Sequence, residues 1–297
     1  MNITTIGSFA DHYLKHAQLV SVIGITSQGI FLNLYSDRVI FLTLAQVHGP
    51  LTANCDGDPD EFAEMRTKSS VIIRADRLCF PEAGFCIDRG QPKIWQAPPR
   101  LVSSFLADEY SDRAVRLINL LLSRHPDRWH SGLLSLFIAQ ESQDAITNQF
   151  KSIGDPLRSA MEQQQSERIV ESLAHFLGLG NGLTPSGDDF VLGFALAINR
   201  WGDFVAPDID RIQFNQHLLR KIYNETTTLS ANLIECSLHG QADERLVTAL
   251  DGLITGNLKI PIVVDYLEGW GNSSGMDAFA GMSFVIFKSF QVTHYPT

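Results

Sequence analysis

Residues 19–44 read LVSVIGITSQGIFLNLYSDRVIFLTL. Three short runs stand out, Leu19–Ile25, Ile30–Tyr35 and Val39–Leu44, separated by Ser27-Gln28-Gly29 and Ser36-Asp37-Arg38. β-Branched and aromatic side chains fit a pleated, half-buried surface, and small polar residues fit the turns between them. The stretch therefore predicts consecutive strands. Working outward, Val71–Arg74, Leu78–Phe80 and Phe85–Asp88 continue the rhythm, with Pro81 and Gly84 marking a turn. A small antiparallel sheet or barrel is the expected N-terminal fold. Cys79 and Cys86 fall in two of these strands and read as buried small hydrophobes.

Pro98-Pro99 breaks the chain, and the rhythm changes after it. Ala114, Leu117, Ile118, Leu121 and Leu122 recur at helical spacing, as do Ile169, Val170, Leu173, Phe176 and Leu177. Further helices are expected over Asp208–Tyr223, Thr227–Leu238, Glu244–Ile254 and Pro261–Leu267, with Gly269 ending the last. Gln163-Gln164-Gln165 reads as an exposed helix face. The expected class is α+β: a β-rich N-terminal domain, 1–97, followed by a mainly helical C-terminal domain, 98–297.

The chain's 297 residues are long enough to bury a core without staples. With 23 basic and 33 acidic side chains the net charge is −10, which argues against nucleic acid, whose binding draws on Lys and Arg. The four cysteines form no CxxC pair, so neither a zinc ribbon nor a disulfide scaffold is indicated. No apolar run is long enough to span a bilayer, and Met1–Gly24 does not fit a signal peptide. The expected setting is cytoplasmic, away from membranes.

The densest signal is Gly178-Leu-Gly-Asn-Gly-Leu-Thr-Pro-Ser-Gly-Asp-Asp189. Gly178, Gly180 and Gly182 leave a helix that ends near Leu177, and Pro185 suits the start of the next. Ser186 with Asp189 three residues on has a capping pattern, and the apolar run Phe190–Ile198 predicts a buried helix. Such a start is an anion site, because free N–H groups and the helix dipole face the ligand. GxGxxG fails at Leu183, and Asp188-Asp189 stand where a P-loop needs Lys and Ser/Thr. A second start matches the first: Ser186-Gly187-x-Asp189-x3-Gly193 recurs as Ser274-Gly275-x-Asp277-x3-Gly281, 88 residues later throughout. Either copy alone reads as architecture. The pair reads as two related helix N-termini facing one another around a single ligand.

The candidate catalytic residues are Asp188, Asp189 and Asp277; the cofactor is unknown, and these three carboxylates would suit Mg²⁺. Alternatively they orient an amide nitrogen or cap their helices. Candidate binding residues are Gly180, Asn181, Gly182, Thr184, Ser186, Gly187, Ser273, Ser274 and Gly275, joined by Thr227 and Ser230 from the hydroxyl-rich Asn224–Asn232 stretch. Asp58, Pro59 and Glu61 read as a helix start rather than a cation loop. His12 and His16 read as a solvated helix face, and His175 as structural.

Gly178–Asp189 and Gly271-Asn-Ser-Ser-Gly-Met-Asp277 resemble the signature segments of a bacterial domain-of-unknown-function family named as the AllH-type subunit of oxamate carbamoyltransferase. Thr226–Ser230 resembles that family more weakly. The resemblance implies a transferase role in allantoin and purine catabolism: phosphorolysis of oxalurate to oxamate and carbamoyl phosphate by a heteromeric complex. It implies a small anionic ligand (phosphate, carbamoyl phosphate or a carboxylate) and other subunits as partners. The Ser-Thr-Arg-Thr-Arg-type loop of ordinary carbamoyltransferases is absent. A non-catalytic binding or assembly subunit is the alternative, and a Mg²⁺-dependent enzyme is another.

Overall fold

The computed structural model describes residues 1–16, 20–35, 37–57, 69–74, 76–101, 107–125, 133–137 and 145–287. Asp58, Pro59 and Glu61 lie outside the described residues. The architecture is α+β, a closed N-terminal barrel followed by a helical region. The backbone divides into two compact units: Met1–Pro98 with Gln241–Glu244, and Pro99–Gly240 with Arg245–Thr297.

The first unit is built from β1 (Asn2–Gly7), helix α1 (Ser8–His16), β2 (Val20–Thr26), β3 (Gly29–Tyr35), β4 (Arg38–Thr43), β5 (Thr52–Asp56), β6 (Ser70–Arg74), β7 (Arg77–Phe80), β8 (Phe85–Asp88) and β9 (Lys93–Trp95). Strand order is β5-β4-β3-β2-β6-β7-β8-β1-β9, and β5 also pairs with β1, so eight strands close on themselves. Closure removes the open edges that would invite aggregation. In β3 the inward Ile30, Leu32 and Leu34 are fully buried and alternate with half-buried Phe31, Asn33 and Tyr35. The hairpins are antiparallel, as residues 19–44 predict, but β4–β5, β1–β8 and β1–β9 are parallel. The β1 pairings join strands far apart in the chain, and no local pattern announces them.

The cysteine reading is corrected here. Cys79 and Cys86 are direct cross-strand partners in the β7–β8 hairpin and form a disulfide, with Cα atoms 4.0 Å apart. Cys86 faces solvent, whereas Cys55 and Cys236 are buried and outside any disulfide. Gln241–Glu244 joins this unit through Gln241 Oε1, which accepts from the Ala97 N–H at 2.8 Å, and Glu244, whose carboxylate lies 2.7 Å from His48 Nδ1. His12 and His16 are exposed on α1 with ring centroids 4.9 Å apart.

The second unit contains α2 (Ala107–Arg124), a 3-10 turn at Leu133–Phe137, α3 (Ala145–Glu162), α4 (Ser166–Ala174), α5 (Ser186–Val205), α6 (Arg211–Glu225), α7 (Thr228–Leu238), α8 (Glu244–Thr255), α9 (Ile260–Glu268) and α10 (Ser274–Ile286). The first residue of α8, Glu244, packs with the barrel unit. Helices α5 and α10 are buried along most of their length and carry apolar residues on several sides, as central helices do. Phe176 stacks on Phe190 at 4.4 Å, and Phe190 meets the edge of Phe284 at 5.2 Å. Gln163–Gln165 is not a helix face. The helix α3 ends at Glu162, and Gln164 takes φ +56° in the connection to α4.

Candidate functional site

The two motif copies are two copies of one structural unit: helix, tight loop, helix. In the first, α4 leads through residues 175–185 into α5; in the second, α9 leads through residues 269–273 into α10. The second residue of each following helix is a glycine pressed against the preceding helix end. A Cβ on Gly187 would lie 1.9 Å from the Phe176 carbonyl oxygen, and one on Gly275 would lie 1.8 Å from that of Leu267. The N–H of Gly187 donates to Leu179, and that of Gly275 donates to Trp270, each at 2.9 Å.

The units interlock reciprocally. A Cβ on Gly193 would lie 1.8 Å from the Ala278 carbonyl oxygen, and one on Gly281 would lie 1.9 Å from that of Phe190. Both contacts obey the offset of 88 residues that relates the motifs, so the helices cross about a local pseudo-two-fold. The second glycine of each motif is thus there to let two backbones touch.

The crossing places Asp189 beside the other copy. Asp189 is 2 % exposed, and burial pushes its carboxyl well above the usual range; hydrogen bonding from Ser274 opposes that shift, nearby Asp277 and Asp188 add to it, and Thr184 opposes it. Thr184 belongs to the first loop and Ser274 opens α10, so the first loop and the second helix start meet at this carboxyl. Asp188 turns the other way. Its carboxylate accepts from the Gly178 N–H at 2.7 Å and from the Thr226 hydroxyl. Burial raises the Asp188 carboxyl, while Gly178, Thr226 and Ser230 hold it back toward ionisation. Thr227 caps α7 by accepting from the Ser230 N–H at 3.1 Å, and its hydroxyl lies 3.0 Å from the Leu183 carbonyl oxygen. The hydroxyl-rich stretch therefore braces the glycine loop. Thr226, not among the candidate site residues, is the contact that spacing missed; its place beside Thr227 was the available signal.

Ser186 does not cap α5: Pro185 is the N-cap, without a side-chain bond. Nor does Ser273 cap α10 through its side chain. Much of each first turn is also already used. Asp188 and Asp189 donate their N–H groups to the Pro185 carbonyl, and Met276 and Asp277 donate theirs to Ser273. Among the described residues no group of three or more His, Cys, Asp or Glu side chains is placed to hold a metal ion.

Unclaimed backbone donors lie one step earlier. φ is +73° at Gly178, +112° at Gly180 and +100° at Gly182, and negative at the residues between. Alternating backbone conformations of this kind can turn successive N–H groups to one side of a loop. The N–H groups of Gly180, Asn181 and Gly182 meet no acceptor among the described residues, and all three residues are exposed. His175 is exposed at the C-cap of α4.

Residues 176–286 match the family model of oxamate carbamoyltransferase subunit AllH. The match opens at Phe176, whose carbonyl seats Gly187, and closes at Ile286, the last residue of α10. The AllH match thus contains both motif-bearing loops and the interlocked pair α5–α10. It agrees with the family resemblance drawn from Gly178–Asp189 and Gly271–Asp277. No solved structure matches the chain. Among the described residues no helix is long and apolar enough to cross a membrane.

Proposed function

We propose that the protein is a subunit of a cytoplasmic oxamate carbamoyltransferase that binds a small anion (phosphate, carbamoyl phosphate or the carboxylate of oxamate) at the Gly178–Thr184 loop. The observation that carries this reading is the run of unclaimed N–H groups at Gly180, Asn181 and Gly182, inside the AllH match. With a net charge of −10, backbone donors suit an anion better than a cationic pocket that the composition does not favour. Preorganised N–H groups need no reorientation as charge develops on a phosphoryl or carbamoyl oxygen.

In this reading Asp188 positions the loop by holding the Gly178 N–H and the Thr226 hydroxyl. Asp189 and Asp277 form the buried acidic floor between the two loops. A protonated Asp189 donates a hydrogen bond, and an ionised one accepts from a substrate amide. Ser274 hydrogen-bonds the Asp189 carboxyl, and Ser186 and Ser273 stand at the two helix starts.

A second reading, a binding and assembly subunit that completes a partner's active site, is favoured by the burial of all three aspartates, 1 %, 2 % and 4 % exposed. One experiment separates the two. The purified chain is assayed for phosphate-dependent cleavage of oxalurate alone and with its complex, and titrated calorimetrically with phosphate, carbamoyl phosphate and oxamate. Turnover by the chain alone establishes catalysis. Anion binding without turnover supports the assembly reading, and absence of binding to chain and complex alike removes the anion site.

A further inference from the structure

We propose that Cys79 and Cys86 form a reversible thiol–disulfide switch that fastens β8 where the barrel closes. The pair is separated by seven positions, lies in direct cross-strand register and is bonded. Cys79 is 9 % exposed, whereas Cys86 is open to solvent, so one sulfur can be reached without unfolding the hairpin. The other two cysteines cannot share this chemistry. Both Cys55 and Cys236 are buried, and burial pushes the Cys55 thiol up to about 12, away from the reactive thiolate.

The position in the barrel gives the bond its consequence. β8 meets β1 at one residue pair, Asn2 with Asp88, supported by the Asp88 N–H donating to the Met1 carbonyl at 3.0 Å. Beyond that pair β1 turns to β9, through Thr5–Gly7 with Lys93–Trp95. The β8–β1 seam is therefore narrow, and β8 itself is four residues long. Its other attachments include the β7 ladder, the stacked Phe80–Phe85 pair at 5.0 Å, the buried Ile87 and the exposed Arg77–Asp88 ion pair. The exposed ion pair adds little. A covalent tie from β7 to the middle of β8 holds the strand against the seam, and opening it leaves the seam to short ladders.

Oxidation proceeds by exchange with a low-molecular-weight disulfide such as oxidised glutathione. The Cys86 thiolate attacks one sulfur of the reagent and expels a thiolate. The Cys79 thiolate then attacks Cys86 Sγ in the mixed disulfide and expels the second. Two electrons pass from the cysteine pair to the reagent, and the two cysteine protons end on the released thiols. Reduction by a thiol runs the same steps backwards.

The test uses the full chain equilibrated in glutathione buffers from fully oxidised to fully reduced, acid-quenched and labelled with maleimide for intact mass. The expected result is two additional labels on reduction, mapped to Cys79 and Cys86, with the far-ultraviolet dichroism unchanged. Amide exchange at residues 1–7 and 85–88 is then expected to rise about tenfold in the reduced protein, with residues 176–286 unchanged. The Cys79→Ser/Cys86→Ser protein should show the reduced pattern in every buffer. Wild-type exchange in the two buffers decides the matter if that variant does not fold. An unchanged label count, opening only on global unfolding, or equal exchange at the seam in both states overturns the proposal.

Discussion

Gly193 lies flush against Ala278, so close that a Cβ on the glycine would stand 1.8 Å from the Ala278 carbonyl oxygen. Gly281 repeats the relationship against Phe190 at 1.9 Å. Neither obstacle is a side chain that can swing away; both are backbone carbonyls of buried helical residues. Gly193→Ala and Gly281→Ala are each expected to destabilise by about 3 kcal/mol or more, the upper range for overpacking. Chemical denaturation checks this. Similar losses at the two sites would express the pseudo-symmetry, and a loss below about 1 kcal/mol at either would show that the helices do not cross here.

The Asp189 carboxyl gives a pH signature. Its folded-state pKa is raised, first by burial, so the native state favours the protonated form. The stabilisation is fully present below the unfolded pKa of about 3.9 and is lost as pH rises through the folded value. Asp189→Asn, neutral at every pH, should therefore gain stability relative to wild type as pH rises. Urea midpoints measured from acid to neutral pH for both proteins test it, and a constant difference would show that Asp189 is not titrating in the fold.

Asp188 is predicted to act as a tether. Asp188→Ala leaves the Gly178 N–H and the Thr226 hydroxyl without their acceptor, at a cost of about 3 kcal/mol. Asp188→Asn keeps an acceptor oxygen and should lose less than half as much. Thermal melts together with proteolysis within residues 178–185 measure the effect. Equal loss in both variants would mean that charge, rather than the hydrogen bonds, holds the loop.

The glycine loop separates architecture from binding. A Cβ on Gly182 meets nothing within 4 Å, so Gly182→Ala carries only the strain of φ +100°, about 1 kcal/mol, while placing a methyl group at the open mouth. A Cβ on Gly180 would lie 2.8 Å from the Ser186 nitrogen and should cost more stability. Calorimetric titration with phosphate and carbamoyl phosphate is expected to show at least a tenfold loss of affinity in Gly182→Ala, about 1.4 kcal/mol, with a small drop in melting temperature. Unchanged affinity would move the anion away from this loop.

Much of the helical unit was legible because its signals are local. The periodic apolar residues from Ala114 to Leu122 and from Ile169 to Leu177 are buried, and the expected helices around Glu244–Ile254 and Pro261–Leu267 appear within a residue or two. The strands read from residues 19–44 are likewise present, displaced by a residue or two at their ends. The partners of the glycine loop were less legible. Thr226 reaches Asp188 across 38 positions, and Leu179 takes the Gly187 N–H that the sequence assigned to a ligand. An unpaired donor is a property of the folded backbone, which spacing does not reveal.

By itself the sequence determined where strands give way to helices and that Gly178–Asp189 and Gly271–Asp277 share one spacing. Periodicity and glycine placement act over a few residues, so a linear reading reaches them. Only the tertiary structure decided that β1 closes the barrel against β5, that Cys79 meets Cys86, and that Gly193 and Gly281 exist for one helix crossing. Each of those depends on which two backbones come together. That choice is made by the packing of the whole core and is written in no single stretch of the chain.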